Sequence, residues 1–377
     1  LARTATWSYD ELSRVIRRTD FIGLATTYEY SEFPNGCSSC TLSDRPTCIV
    51  GPDGAVTTFL YDSEGRLLAR TVASGTSAEA TAIYAYDNDD NIVSVTDPIG
   101  RVTRHTYDDE HHRLTTTDPL GRVIKMAYDE HYNLASVTAS DSTVIRHTYD
   151  FADRRTATTD ALGQTTRFAY DDVGRMTSLT DARRSVYRWE YDATGRKTAM
   201  IYPDNSRETW TYDIGGRIIT STTRASQMKT FSYDAQGRLV AEVWADHAAP
   251  DSRYTYTTLG QLATLDNGVA AVIYTYDAVG RVTSETSTRA GQAPLTVGQG
   301  YDASTGRRAT LTYPSGAVAS QTYSPRGEIA SLSLDGASAA TFGYDLAGQR
   351  TTTLRANGVK TTDTTDAAGQ LLAVLHT

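Results

Sequence analysis

Long apolar stretches are missing from this chain. No run approaches the ~18 residues that a membrane-spanning helix needs, and no helical periodicity of useful length appears. Cysteine is sparse. The three that exist, Cys37, Cys40 and Cys48, are an odd count confined to one short stretch, which excludes a disulfide scaffold and leaves the redox compartment open. Basic charge is in deficit: the formal net charge is −9, which argues against a nucleic-acid or anionic-membrane partner. No signal peptide opens the chain, and it lacks an initiator Met; it starts inside a repeat and reads as a fragment. Catalytic signatures are also missing. There is no G-x-S-x-G, no H-E-x-x-H and no G-x-x-x-x-G-K-[ST], so the chain is read as not an enzyme and as needing no cofactor.

What is present is a period. "WEYDATGRKT" at 189–198 returns as "WTYDIGGRII" and again as "FSYDAQGRLV". The Tyr-Asp pairs Tyr86-Asp87, Tyr107-Asp108, Tyr128-Asp129, Tyr149-Asp150, Tyr170-Asp171, Tyr191-Asp192, Tyr212-Asp213 and Tyr233-Asp234 follow one another at 21 residues without a slip. With small insertions the marker runs from Tyr9, Tyr30 and Tyr61 to Tyr256, Tyr276, Tyr301, Tyr323 and Tyr344, and decays at Thr365-Asp366. That makes seventeen slots, thirteen of them intact Tyr-Asp. Aromatics are lopsided, with 24 Tyr against 7 Phe.

Two residues before the marker an aromatic recurs, as at Trp189, Trp210 and Phe231, and the residue between is usually small or polar. Period two predicts a strand with both rings on one face. Two turns punctuate each repeat. The first begins with the marker's Asp and closes on Gly65, Gly174, Gly195, Gly216, Gly237 or Gly280, which predicts a type I turn with a bulge and positive φ at the glycine. The second is Asp-Pro-x-Gly. Pro98 and Pro119 sit nine residues before a marker, as do Pro52, Pro203 and Pro314; proline presets φ there and needs no ladder hydrogen bond.

The expected fold is therefore all-β, a stack of ~21-residue antiparallel hairpins over residues 1–377, with a Cys-containing insertion around 32–51. Roughly 30 strands at ~4.8 Å each would run about 140 Å if flat. Twisted sheets do not stay flat, so stacked hairpins should wind into a spiral wall around a hollow, with Tyr above Tyr in ladders.

Each tempting site has a structural reading beside it. The Tyr-Asp pairs suggest carbohydrate stacking, but a residue fixed at every repeat answers a need present at every repeat, which is folding. Cys37, Cys40 and Cys48 can in principle hold zinc. Four ligands are usual, however, and the nearest histidine is His105; one disulfide with a spare thiol, or three free thiols, is preferred. His105 and His147 take the aromatic slot and read as ladder packing. His111, His112 and His131 fall in successive first turns and could cluster as a metal or pH-sensing group along one rim. "DNDDN" at 87–91 resembles a calcium loop only in its Asp-x-Asp content and reads as an exposed turn.

"YDxxGR" and "DPxGR" at this spacing resemble the RHS/YD repeats of bacterial Rhs proteins, of the BC component of insecticidal Tc toxins and of teneurins. The resemblance covers essentially the whole chain. It implies a hollow β-shell and, for bacterial members, enclosure of a C-terminal toxic domain of the same polypeptide. It implies further a secreted or cell-surface bacterial protein, with a secretion-system component as a further partner. The teneurin-like alternative is an adhesive surface protein that binds a glycan or a partner protein. The segment that carries self-cleavage in bacterial members does not appear in these residues.

Overall fold

Alternating side chains and Asp-capped turns leave the backbone one regular solution, and the chain takes it along its length. The computed structural model describes residues 4–20, 22–30, 44–245 and 250–377. Its described residues form 34 strands and no helix, two strands for each of the seventeen slots. Successive strands pair antiparallel. Phe168 faces Leu179 and Trp189 faces Met200, and the register shifts by one residue just before the marker in most repeats, as between Ala169 and Tyr170. The shift is the expected bulge.

The first-turn geometry follows the sequence expectation. Gly195 takes φ 87° and donates its amide to the Asp192 carbonyl at 3.0 Å. Asp192 Oδ1 accepts from the Thr194 and Arg196 amides at 2.9 and 3.0 Å. The second turn is built in the same way. Gly100 donates to the Asp97 carbonyl at 2.9 Å, and Asp97 Oδ1 accepts from Ile99 and Arg101. The two phrases that look different in sequence are one five-residue device, Asp-x-x-Gly-Arg, used at both ends of the hairpin. Where glycine is replaced, the left-handed conformation persists, as at His111, Tyr132, Arg184 and Asn205.

The strands divide into two units. One holds residues 1–123, 276–284 and 296–377; the other holds 124–275 and 285–295. Neither unit has a conventional core. The buried apolar residues are Ala73, Ala80, Ala157 and Ala199, and among the described residues no large side chain is fully buried. The accessible surface is 22804 Å², whereas a compact monomer of this length exposes roughly 15,000 Å². Stability must therefore come from strand-to-strand contacts repeated at each hairpin. One such contact is a row of cross-strand hydroxyl pairs, including Thr106–Thr115 at 2.7 Å, Thr148–Thr156 at 2.9 Å and Thr211–Thr220 at 2.6 Å.

Of the stretch read as an insertion, residues 31–43 lie outside the described residues, including Cys37 and Cys40. Cys48–Val50 is a strand, paired with Ala25–Glu29 on one side and Val56–Tyr61 on the other. The end of the insertion thus belongs to the sheet.

Candidate functional site: the repeat clasp and the seam

The marker tyrosine sits at the end of its strand, with its hydroxyl reaching back into the preceding repeat. Tyr191 donates to the Met176 carbonyl at 2.7 Å, Tyr212 to Lys197 at 2.6 Å and Tyr233 to Ile218 at 2.8 Å. The same bond recurs from Tyr30 through Tyr344. Phenylalanine cannot make it, which accounts for the lopsided aromatic count. Burial pushes the Tyr191 and Tyr233 phenols above their ordinary value.

Above many of these rings lies the arginine of the preceding repeat. The Arg175 guanidinium stands 4.9 Å from the Tyr191 ring centre, Arg196 stands 4.8 Å from Tyr212, and Arg217 stands 4.9 Å from Tyr233. The covering group is a cation; the ring–ring contact at Phe59–Tyr61 is made within one hairpin. Several of these arginines, Arg66, Arg154, Arg175, Arg196 and Arg281 among them, also bind their own turn and the next. Arg175 Nε donates to Asp171 Oδ2 at 2.7 Å, and Arg175 Nη1 donates to the Asp192 carbonyl at 3.0 Å. One side chain therefore joins two repeats in three ways. Reasoning from Tyr and Asp alone misses this residue, although Arg196, Arg217 and Arg238 follow the glycine in the three repeated phrases. Its i,i+4 spacing from Asp was the available signal. Where Arg is absent a smaller group still serves: Asn91 and Asn133 donate to Asp87 and Asp129.

In the first unit, repeats far apart in sequence meet. Arg101 Nη1 donates to Gln349 Oε1 at 3.3 Å, and Arg122 Nη1 donates to Gln370 Oε1 at 3.0 Å. Arg307 pairs with Asp53 at 3.0 Å. The second turns of slots three, five and six thus touch the first turns of slots fourteen, sixteen and seventeen, a constant offset of eleven slots. Gln349 and Gln370 stand where other repeats place the clasp arginine, so the incoming Arg101 and Arg122 meet an acceptor and not a like charge. Beside this seam a crevice of about 520 Å³ is lined by Ala73, Thr76, Ser304, Thr305, Gln321 and Tyr323, among others.

The histidines of the first turns each face a partner. His111 Nδ1 lies 3.1 Å from Asn91 Oδ1, and His112 Nδ1 lies 3.2 Å from Asp108 Oδ1. His131 Nδ1 lies 3.5 Å from Asp153 Oδ1. Asp108, Glu110 and His112 bring three ligand atoms within 4.8 Å of one another on a single turn, with Glu110 exposed. His105 and His147 hydrogen-bond Thr116 and Thr158 across the strand pair, and burial holds both imidazoles below their ordinary pKa. In "DNDDN", Asp87 caps the turn and Asp90 pairs with Arg66 at 2.7 Å. Cys48 is a free, half-buried thiol, pushed up by burial and by the nearby Glu29.

The model of the RHS repeat matches residues 43–77, 86–123, 109–144, 149–186 and 170–207. The chain carries RHS repeats over these residues. No curated protein matches its sequence. Among solved structures, the RHS-repeat chain is similar to a TcdB2-TccC3 crystal structure at TM-score 0.60 and 14% identity, over 99% of this chain and 27% of that one. It is also similar to the Photorhabdus luminescens Tc holotoxin pore at TM-score 0.61 and 17% identity, over 94% of this chain and 21% of that one. A third similar structure is TcdB2-TccC3 without its hypervariable C-terminal region, at TM-score 0.56 and 17% identity, over 99% and 20%. At these identities the likeness is one of fold, and the RHS-repeat chain spans about a fifth to a quarter of the chains it matches. Among its described residues, no helix is long and apolar enough to cross a membrane.

Proposed function

We propose that this chain is part of the wall of an RHS-repeat shell in a bacterial secreted or surface toxin, and that the shell encloses a toxic domain of the same polypeptide. The observation that carries the reading is the seam. Within the first unit, second turns dock on first turns eleven slots later, and such contacts are what stacked courses of a coiled wall would make. On this reading residues 1–377 form one segment of shell, both units belong to it, and it acts by exclusion and not by catalysis. Tight five-residue turns at both ends of each hairpin leave a protease few extended loops to enter. Limited proteolysis of the full-length natural polypeptide tests it. The cargo should survive while the repeats are intact and be degraded when expressed alone; equal susceptibility in both forms overturns the proposal.

A second reading is adhesion, for which the supporting observation is exposed apolar turn tips. Phe151 and Ile214 are fully exposed and Val173 is 75% exposed. An adhesive surface would bind a glycan array or a cell-surface protein through these tips, and Phe151→Ser with Ile214→Ser would abolish that binding.

A further inference from the structure

We infer that one face of the second unit is a docking surface for an extended acidic polypeptide segment presented by a separate protein. Three residues before the marker, on the face opposite the tyrosines, stand Lys125, Arg146, Arg167 and Arg188. All four are exposed, and none makes a hydrogen bond or ion pair with any described residue. This separates them from the clasp arginines, each of which is held by an aspartate. Consecutive hairpins are two strand spacings apart, so the four cations stand in a row at intervals of about 9.6 Å.

Folding does not require them. The equivalent position is Thr58, Thr209, Thr230, Thr341 and Thr362 in other repeats, and Arg104 and Arg253 in two more, so threonine suffices for the wall. Neighbouring cations at about one Debye length repel weakly and gain nothing from each other. The surface around them is selective in composition. The residues that share the face by direct pairing are Thr138 opposite Lys125, Ser136 and Thr159 opposite Arg146, Ala157 and Thr180 opposite Arg167, and Ser178 and Ile201 opposite Arg188; all but Ile201 are small or hydroxylated. The carboxylate at its end, Glu190, is already paired with Arg207 at 2.8 Å. The result is a strip of mainly small and hydroxylated residues with a line of unneutralised positive charge along it.

The shape of the strip selects the class of partner. Strands of five to six residues at ~3.3 Å set its width at about 20 Å, and both margins carry aspartate turns, Asp150 and Asp171 on one side and Asp160 and Asp181 on the other. A strip of that width seats a single extended chain along its row of cations. No aromatic residue projects from these positions, so bases would have nothing to stack on. A polyproline-II segment repeats every three residues, about 9.3 Å, so an acidic residue at every third place would meet each cation in turn. This inference is independent of the shell reading, which can fail while it stands.

The test uses the full chain at low ionic strength with a fluorescent peptide of five Glu-Pro-Pro triplets, read by anisotropy. A peptide of the same composition with its glutamates clustered is the control. The phased peptide should bind more tightly than the clustered one. Affinity should fall about tenfold or more in Arg146→Thr with Arg167→Thr, and similarly in Lys125→Thr with Arg188→Thr, with circular dichroism unchanged in both. Absence of binding, or equal binding by both double variants and the parent, overturns the inference. So does tighter binding of a fifteen-nucleotide oligothymidylate or a heparin fragment that depends on the same four residues, since the partner class would then be wrong.

Discussion

The Arg175 guanidinium lies 4.9 Å from the Tyr191 ring centre while its Nη1 donates to the Asp192 carbonyl at 3.0 Å. That pair is the joint between two repeats, and it works with the Tyr191 hydroxyl, which donates to Met176 at 2.7 Å. Tyr191→Phe keeps the ring under the guanidinium and loses one hydrogen bond, so it should cost about 1 kcal/mol of unfolding free energy. Tyr191→Ala loses the ring as well and should cost at least about 2 kcal/mol. Chemical denaturation of the two variants checks the order. A Phe variant as damaging as Ala would mean that the hydroxyl carries the whole effect.

Left-handed turn positions offer a change in the stabilising direction. Arg184 holds φ 67° with a side chain that has no need of it, and an L-residue there costs about 1–2 kcal/mol. Arg184→Gly should therefore raise stability by up to about 1 kcal/mol, the gain being reduced by glycine's larger entropy in the unfolded chain. Gly195→Val, at φ 87°, should lower it by about 2 kcal/mol. Thermal melts of the pair should move in opposite directions.

The seam makes a charge-swap prediction. Gln349→Arg places a second guanidinium against Arg101 and should destabilise the chain. Adding Arg101→Glu to it should restore a pair across the seam and recover stability. A double-mutant cycle should give a coupling of about 0.5–1 kcal/mol. A coupling of zero would mean that slots five and sixteen do not meet in solution.

Acid should loosen the turns. Amides of the residues four along, Arg217 and Arg238, hold the Asp213 and Asp234 carboxyls below their ordinary value, helped by the side chains of the same arginines. Hydrogen bonds from Ser304 and Thr305 bring Asp302 from 3.8 to about 2. Folded values below the unfolded ones mean that this stability is complete well above pH 4 and is lost as pH falls through the folded values. Melting temperature should be level from near pH 7 to near pH 5 and then fall towards pH 2. The fall should be shallower in a chain carrying Asp213→Asn and Asp234→Asn.

Most of the architecture was legible because it is local and repeated. Period-two aromatics, Asp at the start of each turn and glycine at its close specify a hairpin within 21 residues, and seventeen copies leave the strand count no freedom. The clasp was half legible. Tyr and Asp were recognised as markers, but the covering group was expected to be another tyrosine. It is an arginine, because a guanidinium can bind its own aspartate, the next carbonyl and the next ring at once. The first-turn histidines His111, His112 and His131 each face a nearby side chain, a pairing that no single repeat specifies.

The sequence by itself determined the hairpin, the turn device and the period, since each is decided by residues fewer than about twenty apart. Tertiary structure alone decided the seam between Arg101 and Gln349, and it left the four cations from Lys125 to Arg188 aligned and unpaired. Both depend on which distant turns are brought together and which charges find partners. Those outcomes involve residues in different repeats, up to 248 positions apart, which no single repeat encodes.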